Sequence, residues 1–230
     1  MPMRAMQILL VPGFMLDADM WSDIRPALER LGQLVYVDST RDSSIDAMAE
    51  RAVASLTGPA IVIGFSMGGY IARQITYRAP DRVRGLALVA TSSRGSHPLP
   101  ATAIGQKGFR ELSRAAVARS LHPEHRNEAL IARVQRMSNR LGGEVFERQS
   151  RLRRDDDTER LGEIVCPTLV VAAAQDELRS IEESQILQGK IPESTMIIIE
   201  KSGHLIPLEQ PESLMTAFSR AFFELRSPDS

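Results

Sequence analysis

Residues 61–70 read IVIGFSMGGY. A β-branched apolar run ends in Gly64-Phe65-Ser66-Met67-Gly68, so a hydroxyl stands at the end of a strand-like segment between two residues without side chains. The pattern predicts a strand, a sharp turn through Ser66, and a helix from Met67 to Ala79 closed by Pro80. Such a turn brings strand and helix backbones together. Gly64 and Gly68 then stand where a Cβ would clash. The turn aims the Ser66 hydroxyl, and the Met67 N–H beside it, into the space beyond the strand's carboxyl end.

Working outward, five further apolar runs accompany AIVIG (60–64): QILLV (7–11), LVYVD (34–38), VRGLALVA (83–90), TLVVAA (168–173) and TMIIIE (195–200). Most are continuous in apolar residues rather than alternating, as strands covered on both faces must be. Helical spacing lies between them. Ile45, Met48, Ala49, Ala52, Val53 and Leu56 share a face, with Ser43 and Asp46 resembling a capping box at its start. Leu214, Phe218, Ala221, Phe222 and Leu225 repeat that spacing near the C-terminus. Alternating strands and helices imply an α/β fold with a mostly parallel, doubly wound sheet of about six strands.

One connection is far longer than the rest: 77 residues separate Ala90 from Thr168. Helical patterns over 103–121, 123–141 and 143–153 predict a small helical cap inserted after the fourth strand. This divides the chain into a first core part (1–95), a cap (96–160) and a second core part (161–230). Over 97–160 there are twelve arginines and one lysine against nine carboxylates. Solvated helix faces explain that excess, and a preference for anionic substrates is the other reading. The run Asp155-Asp156-Asp157 reads as a solvated linker.

A net charge of −1 gives no electrostatic footprint for a nucleic acid or an anionic membrane. The single cysteine, Cys166, permits no internal disulfide and suits a reducing cytoplasm. It precedes Pro167 at a strand start and reads as a core residue. No apolar run is long enough to span a bilayer. The opening MPMRAMQILLVPG reads as the first strand, because its apolar run is too short for a signal peptide.

A serine hydroxyl needs a base, and the base needs an orienting acid. His204, in EKSGHLIPLEQP, follows the last strand at the same sheet edge. His97 opens the insert, while His122 and His125 bracket Pro123 and read as surface residues at a helix start. No nearby Cys or third His makes them a metal site. Asp176 ends the fifth strand in AAAQDEL, with Glu177 beside it as the fallback acid. The order is then Ser66, Asp176, His204. Met67 N–H is one donor for a developing oxyanion, and Phe14 N–H, in the loop VPGFMLDADMW after the first strand, is the other. Met15, Leu16 and Trp21 read either as walls of an apolar substrate pocket or as core.

These segments together resemble the α/β-hydrolase superfamily, and within it small, cofactor-independent serine hydrolases with a helical cap: carboxylesterases, enol-lactonases and C–C bond hydrolases. The resemblance covers nearly the whole chain, through VPGFMLDADMW, GFSMGGYIARQITYRAPDRVRGLALVAT, IVCPTLVVAAAQDEL and IPESTMIIIEKSGHLIPLEQPE. It implies Ser66 as nucleophile, His204 as base, Asp176 as its acid, and hydrolysis of a small or medium ester, thioester or lactone through an acyl-enzyme, with no metal or organic cofactor. The same triad serves C–C bond hydrolases, for which a cap arginine such as Arg110 or Arg114 would orient a second carbonyl, and acyltransferases. A ligand-binding protein on the same scaffold is the non-enzyme reading. Three departures stand out. Pro12-Gly13 replaces the His-Gly common in relatives, no proline follows the acid, and the first two strands of larger members are missing. Serine rather than aspartate at the turn disfavours epoxide opening and dehalogenation.

Overall fold

The computed structural model describes residues 6–96, 109 and 111–223. Its six strands are β1 (Gln7–Val11), β2 (Gln33–Tyr36), β3 (Ala60–Phe65), β4 (Val83–Val89), β5 (Thr168–Ala173) and β6 (Ser194–Ile199). They form one all-parallel sheet in the order β2-β1-β3-β4-β5-β6. The continuous apolar runs have a simple cause. Ile61, Ile63 and Phe65 of β3 enter one core, with Trp21, Ile131 and Phe218, while Ala60 and Val62 enter a second, with Met48, Ile71 and Leu187. Both faces of the sheet are therefore apolar. The edge strand β2 ends at Tyr36, two residues short of the expected 38, because Asp38 turns to bind Thr40 and Arg51 instead.

The helices are α1 (Arg25–Glu29), α2 (Ile45–Ala54), α3 (Met67–Arg78), α4 (Arg114–Arg119), α5 (Glu128–Ser150), α6 (Ile181–Lys190), α7 (Ile206–Glu209) and α8 (Pro211–Phe218). At α2 the expected cap is displaced by one residue: Ser44, not Ser43, accepts from the Ala47 N–H. The long connection between β4 and β5 carries α4 and α5. Of the helix expected over 103–121, only α4 falls among the described residues. His97 and Arg110 lie outside them. The other two expected helices are one, α5, interrupted at Gly142, whose φ of 77° is open to glycine and strained for other residues. Residues 123–125 form a short 3₁₀ turn before α5.

Asp157 corrects the reading of the acidic run as a solvated linker. Asp155 is exposed and pairs with Arg153, but Asp157 is buried against α3. Arg73 Nε and Nη2 donate to its two oxygens at 2.7 and 2.8 Å, and the Tyr77 hydroxyl donates at 3.1 Å. Burial first, then the Asp157 charge, hold the Tyr77 phenol above its usual pKa, so it stays a donor. Arg73 also donates to the Ser92 carbonyl at 3.0 Å, so one guanidinium fastens α3 both to the segment after β4 and to the chain returning towards β5.

Removing one member of a buried pair strands the other charge. Asp157→Ala should therefore cost about 3–5 kcal/mol in urea denaturation, with Arg73→Met/Asp157→Leu recovering most of it. A loss below about 1 kcal/mol for Asp157→Ala would show that the pair is not holding α3.

Candidate active site

Ser66 occupies the single-residue turn between β3 and α3 with φ 52° and ψ −115°, a conformation costly for a residue with a side chain. Its N–H donates to the Val89 carbonyl at 2.9 Å, and its own carbonyl accepts from the Thr91 hydroxyl at 2.7 Å. A Cβ on Gly64 would stand 2.6 Å from the Ala72 Cβ and the Gly68 carbonyl oxygen. One on Gly68 would stand 2.6 Å from the Pro12 carbonyl oxygen and closer still to that of Val11. Gly69 has a role the sequence did not suggest: its missing side chain leaves room for Thr91, which ties down the turn.

His204 and Asp176 converge on this turn from the ends of β6 and β5. His204 Nε2 lies 2.8 Å from Ser66 Oγ, and His204 Nδ1 lies 2.7 Å from Asp176 Oδ2. A carboxylate only accepts, so the ring proton sits on Nδ1, and Nε2 is left to accept from the Ser66 hydroxyl. The Leu178 and Arg179 N–H groups donate to Asp176 Oδ1 at 2.7 and 3.0 Å, fixing the carboxylate. The histidine and aspartate side chains are 7% and 1% exposed, so this relay is shielded from water. Glu177 points elsewhere, to Arg126 at 2.8 Å.

The histidine loop is clamped by Glu209, a residue the sequence reading passed over. Its fully buried carboxylate accepts from the N–H groups of Gly203 and Leu205, on either side of His204, both at 3.1 Å. It also accepts from His122 N–H at 2.7 Å and lies 3.1 Å from His125 Nδ1. His204 N–H donates to the Ser120 carbonyl at 2.8 Å. Gly203 is needed here because a Cβ would stand 2.6 Å from His122 N. His125, read as a surface residue, thus reaches a buried carboxylate. His122 caps its own turn, accepting from Glu124 N–H at 3.2 Å.

A cavity of about 260 Å³ opens on Ser66 and His204. Phe14, Leu16 and Phe65 line it from the sheet side, and Leu112, Ala116, Val117 and Val134 from the segment carrying α4 and α5. Of the residues read as pocket or core, Leu16 is a wall. Met15 is buried, with φ 55°, and its N–H donates to the buried Gln149 Oε1 of α5 at 2.8 Å. Trp21 is fully buried in the core and lines a separate cavity of about 190 Å³ with Asp17 and Tyr36. Met67, the first residue of α3, has no intrahelical acceptor for its N–H. Arg114 faces away, exposed and paired with Glu128. A larger open depression, about 820 Å³, lies between β5, β6 and α8 and contains none of these residues. Among the described residues, no group of three or more His, Cys, Asp or Glu side chains is arranged to hold a metal ion, and no helix is long and apolar enough to cross a membrane.

Comparison with known proteins gives a consistent picture. A sequence model of the alpha/beta hydrolase family matches residues 8–217. A pimeloyl-[acyl-carrier protein] methyl ester esterase of Neisseria meningitidis is 26% identical over 97% of this chain and 95% of its own. A protein named as a carbamate hydrolase from Klebsiella pneumoniae is 26% identical over 85% and 83%. Among solved structures, a thermophilic esterase from Thermogutta terrifontis superposes with a TM-score of 0.72 at 27% identity, over 95% of this chain and 89% of its own. An enol-lactonase from Burkholderia xenovorans LB400 reaches a TM-score of 0.82 at 18% identity, over 94% and 91%, a likeness of fold alone.

Glu209→Ala would leave two N–H groups beside His204 without their acceptor. Charge-assisted bonds contribute about 1.5–3 kcal/mol each, so the variant should lose several kcal/mol of stability at most, and amide exchange should rise first at residues 203–205 and 122. Unchanged protection at those amides would refute the clamp.

Proposed function

The chain belongs to the alpha/beta hydrolase family, and on that premise we propose that it is a serine hydrolase cleaving a small or medium carboxylic ester, thioester or lactone through an acyl-enzyme. One observation carries the reading: the unbroken relay from Ser66 Oγ through both nitrogens of His204 to Asp176, at 2.8 and 2.7 Å, opening on an apolar cavity. Ser66 Oγ attacks the carbonyl carbon as its proton passes to His204 Nε2. Asp176 stabilises the imidazolium that results. The oxyanion is held by the Met67 and Phe14 N–H groups. The Nε2 proton then goes to the leaving alkoxide or thiolate, and the C–O or C–S bond breaks. Water, deprotonated by the same nitrogen, attacks the acyl-enzyme, releasing the acid and restoring the serine.

The segment 96–160 acts as a cap, with Leu112, Ala116, Val117 and Val134 closing the acyl pocket. No cofactor is needed for these steps. The buried free thiol of Cys166, its pKa pushed up by burial, fits a reducing cytoplasm. The relatives named as esterases favour ester cleavage over C–C bond cleavage. Arg114, one of the arginines that C–C bond cleavage could use for a second carbonyl, is turned to Glu128.

The test is hydrolysis of p-nitrophenyl acetate and butyrate, with fluorophosphonate labelling read by mass spectrometry. Wild type should turn over and label at Ser66. Ser66→Ala should lose both, with kcat/KM down at least about a thousandfold, and Asp176→Asn should lower kcat by about 10⁴ with folding intact. A folded wild-type protein that neither turns over nor labels would overturn the reading.

A further inference from the structure

The insert's positive charge is for the most part already engaged. Arg126 binds Glu177, Arg133 binds Asp23, and Arg140 binds Asp17, fastening the insert to the rest of the chain, while Arg114, Arg151 and Arg153 pair with carboxylates of the insert itself. Two of the insert's described arginines are not engaged at all. The side chains of Arg119 and Arg136 make no hydrogen bond or ion pair among the described residues. Arg136 stands away from the Ser66 cavity, whereas Arg119 lines it.

Arg119 is the one charged residue among the described residues of that lining, and no carboxylate lies there to neutralise it. The other polar groups are committed. Ser120 Oγ donates to the Val117 carbonyl at 2.7 Å, and Ser66 and His204 bond to one another. Arg119 is exposed as a residue and still lines the cavity, which puts it at the rim. An apolar chamber with a reacting hydroxyl inside and one unpaired cation at its mouth is complementary to a short apolar chain with an ester at one end and an anion at the other. The cavity, about 260 Å³, suits a short chain.

The geometry points to Arg119 as a specificity-determining residue that binds a free carboxylate on the substrate, so that the preferred substrates are esters carrying such a carboxylate. This deepens the serine-hydrolase reading and rests on it. The carboxylate belongs either to the acyl side, as in a half-ester of a short dicarboxylic acid, or to the alcohol side, as in an acylated hydroxy acid. The chemistry at Arg119 is the same in both: a planar guanidinium offers paired N–H donors to a carboxylate.

The measurement is the ratio of kcat/KM for monomethyl glutarate to that for dimethyl glutarate, repeated with 3-acetoxypropanoate against its methyl ester. In wild type one of these ratios should be about ten, the pair that shows it identifying the side that carries the carboxylate. Arg119→Gln should bring that ratio to about one, and Arg119→Glu should push it below one. Arg136→Gln removes the same charge from a site away from the cavity and should keep the wild-type ratio. Neutral esters preferred in both pairs, or a ratio that survives Arg119→Gln, would overturn the proposal. So would an equal fall in Arg136→Gln, which would mark a long-range field. Calorimetry separates this outcome from failure of the esterase reading. Monomethyl glutarate or 3-acetoxypropanoate should bind Ser66→Ala about tenfold more tightly than Ser66→Ala/Arg119→Gln, whether or not wild type turns over. Equal binding of both ligands to the two variants would overturn the assignment.

Discussion

The carbonyl oxygens of Val11 and Pro12 stand so close to Gly68 that no side chain fits between them, and the site is arranged around this approach. β1 and β3 are neighbours in register, Val11 opposite Gly64, so the chain leaving β1 and the chain turning into α3 emerge side by side. That places Phe14 next to Ser66 on one cavity wall. It also forces the turn to be tight, and the tightness appears as the positive φ of Ser66. Such strain costs on the order of 1–3 kcal/mol. It is held by the bonds to Val89 and Thr91 and by the packing of α3 on the sheet. Each hydrogen bond contributes only about 0.5–1.5 kcal/mol net, so no single one would suffice.

The segment between β4 and β5 is part of this arrangement rather than an appendage to it. Ser120 accepts from the backbone of His204, Gln149 accepts from the backbone of Met15, and Asp157 receives Arg73 from α3. One contact reaches the histidine loop, one the loop after β1, and one the helix that begins at the serine turn. All three are buried, where a polar group left without its partner is costly. The insert therefore has one well-defined seat on the sheet. A shift that broke any of these contacts would strand a buried donor or acceptor, and at Ser120 it would do so at His204 itself.

How much of this could be read in advance depended on range. The strands were legible because each face of β3 feeds a different core, which makes its sequence continuously apolar. The turn at Ser66 was legible because glycine spacing is a local signal. The loop positions of Asp176 and His204 followed from sheet-edge logic, since both succeed strong strands. Glu209 was not legible: a glutamate ahead of a proline looks like any helix-flanking charge, and only the folded chain brings the Gly203, Leu205 and His122 amides to it. Gln149 and Asp157 were hidden for the same reason, since their partners lie 134 and 84 positions away in the chain. The capping serine was misplaced by one because Ser43 and Ser44 are chemically equal, and backbone geometry decides between them. The break at Gly142 was visible as a boundary, but not that one helix would continue across it.

Charge in the insert follows from the same geometry. An arginine at a surface seam is well suited to holding two elements together, because its rigid fork can bond a carboxylate with two parallel donors, as Arg140 does with Asp17. Isolated exposed pairs contribute little, about 0–1 kcal/mol, but several along one seam restrict how the insert can sit. Fastening of this kind requires each cation to meet a partner, and the core supplies Asp17, Asp19, Asp23 and Glu177 for it. Arg119 departs from that rule at the rim of an otherwise apolar chamber. Among the described residues of the cavity lining, no carboxylate pairs with it. The seam fixes where that charge lies relative to Ser66, so the charges that seat the insert also fix the position of the unpaired one at the cavity.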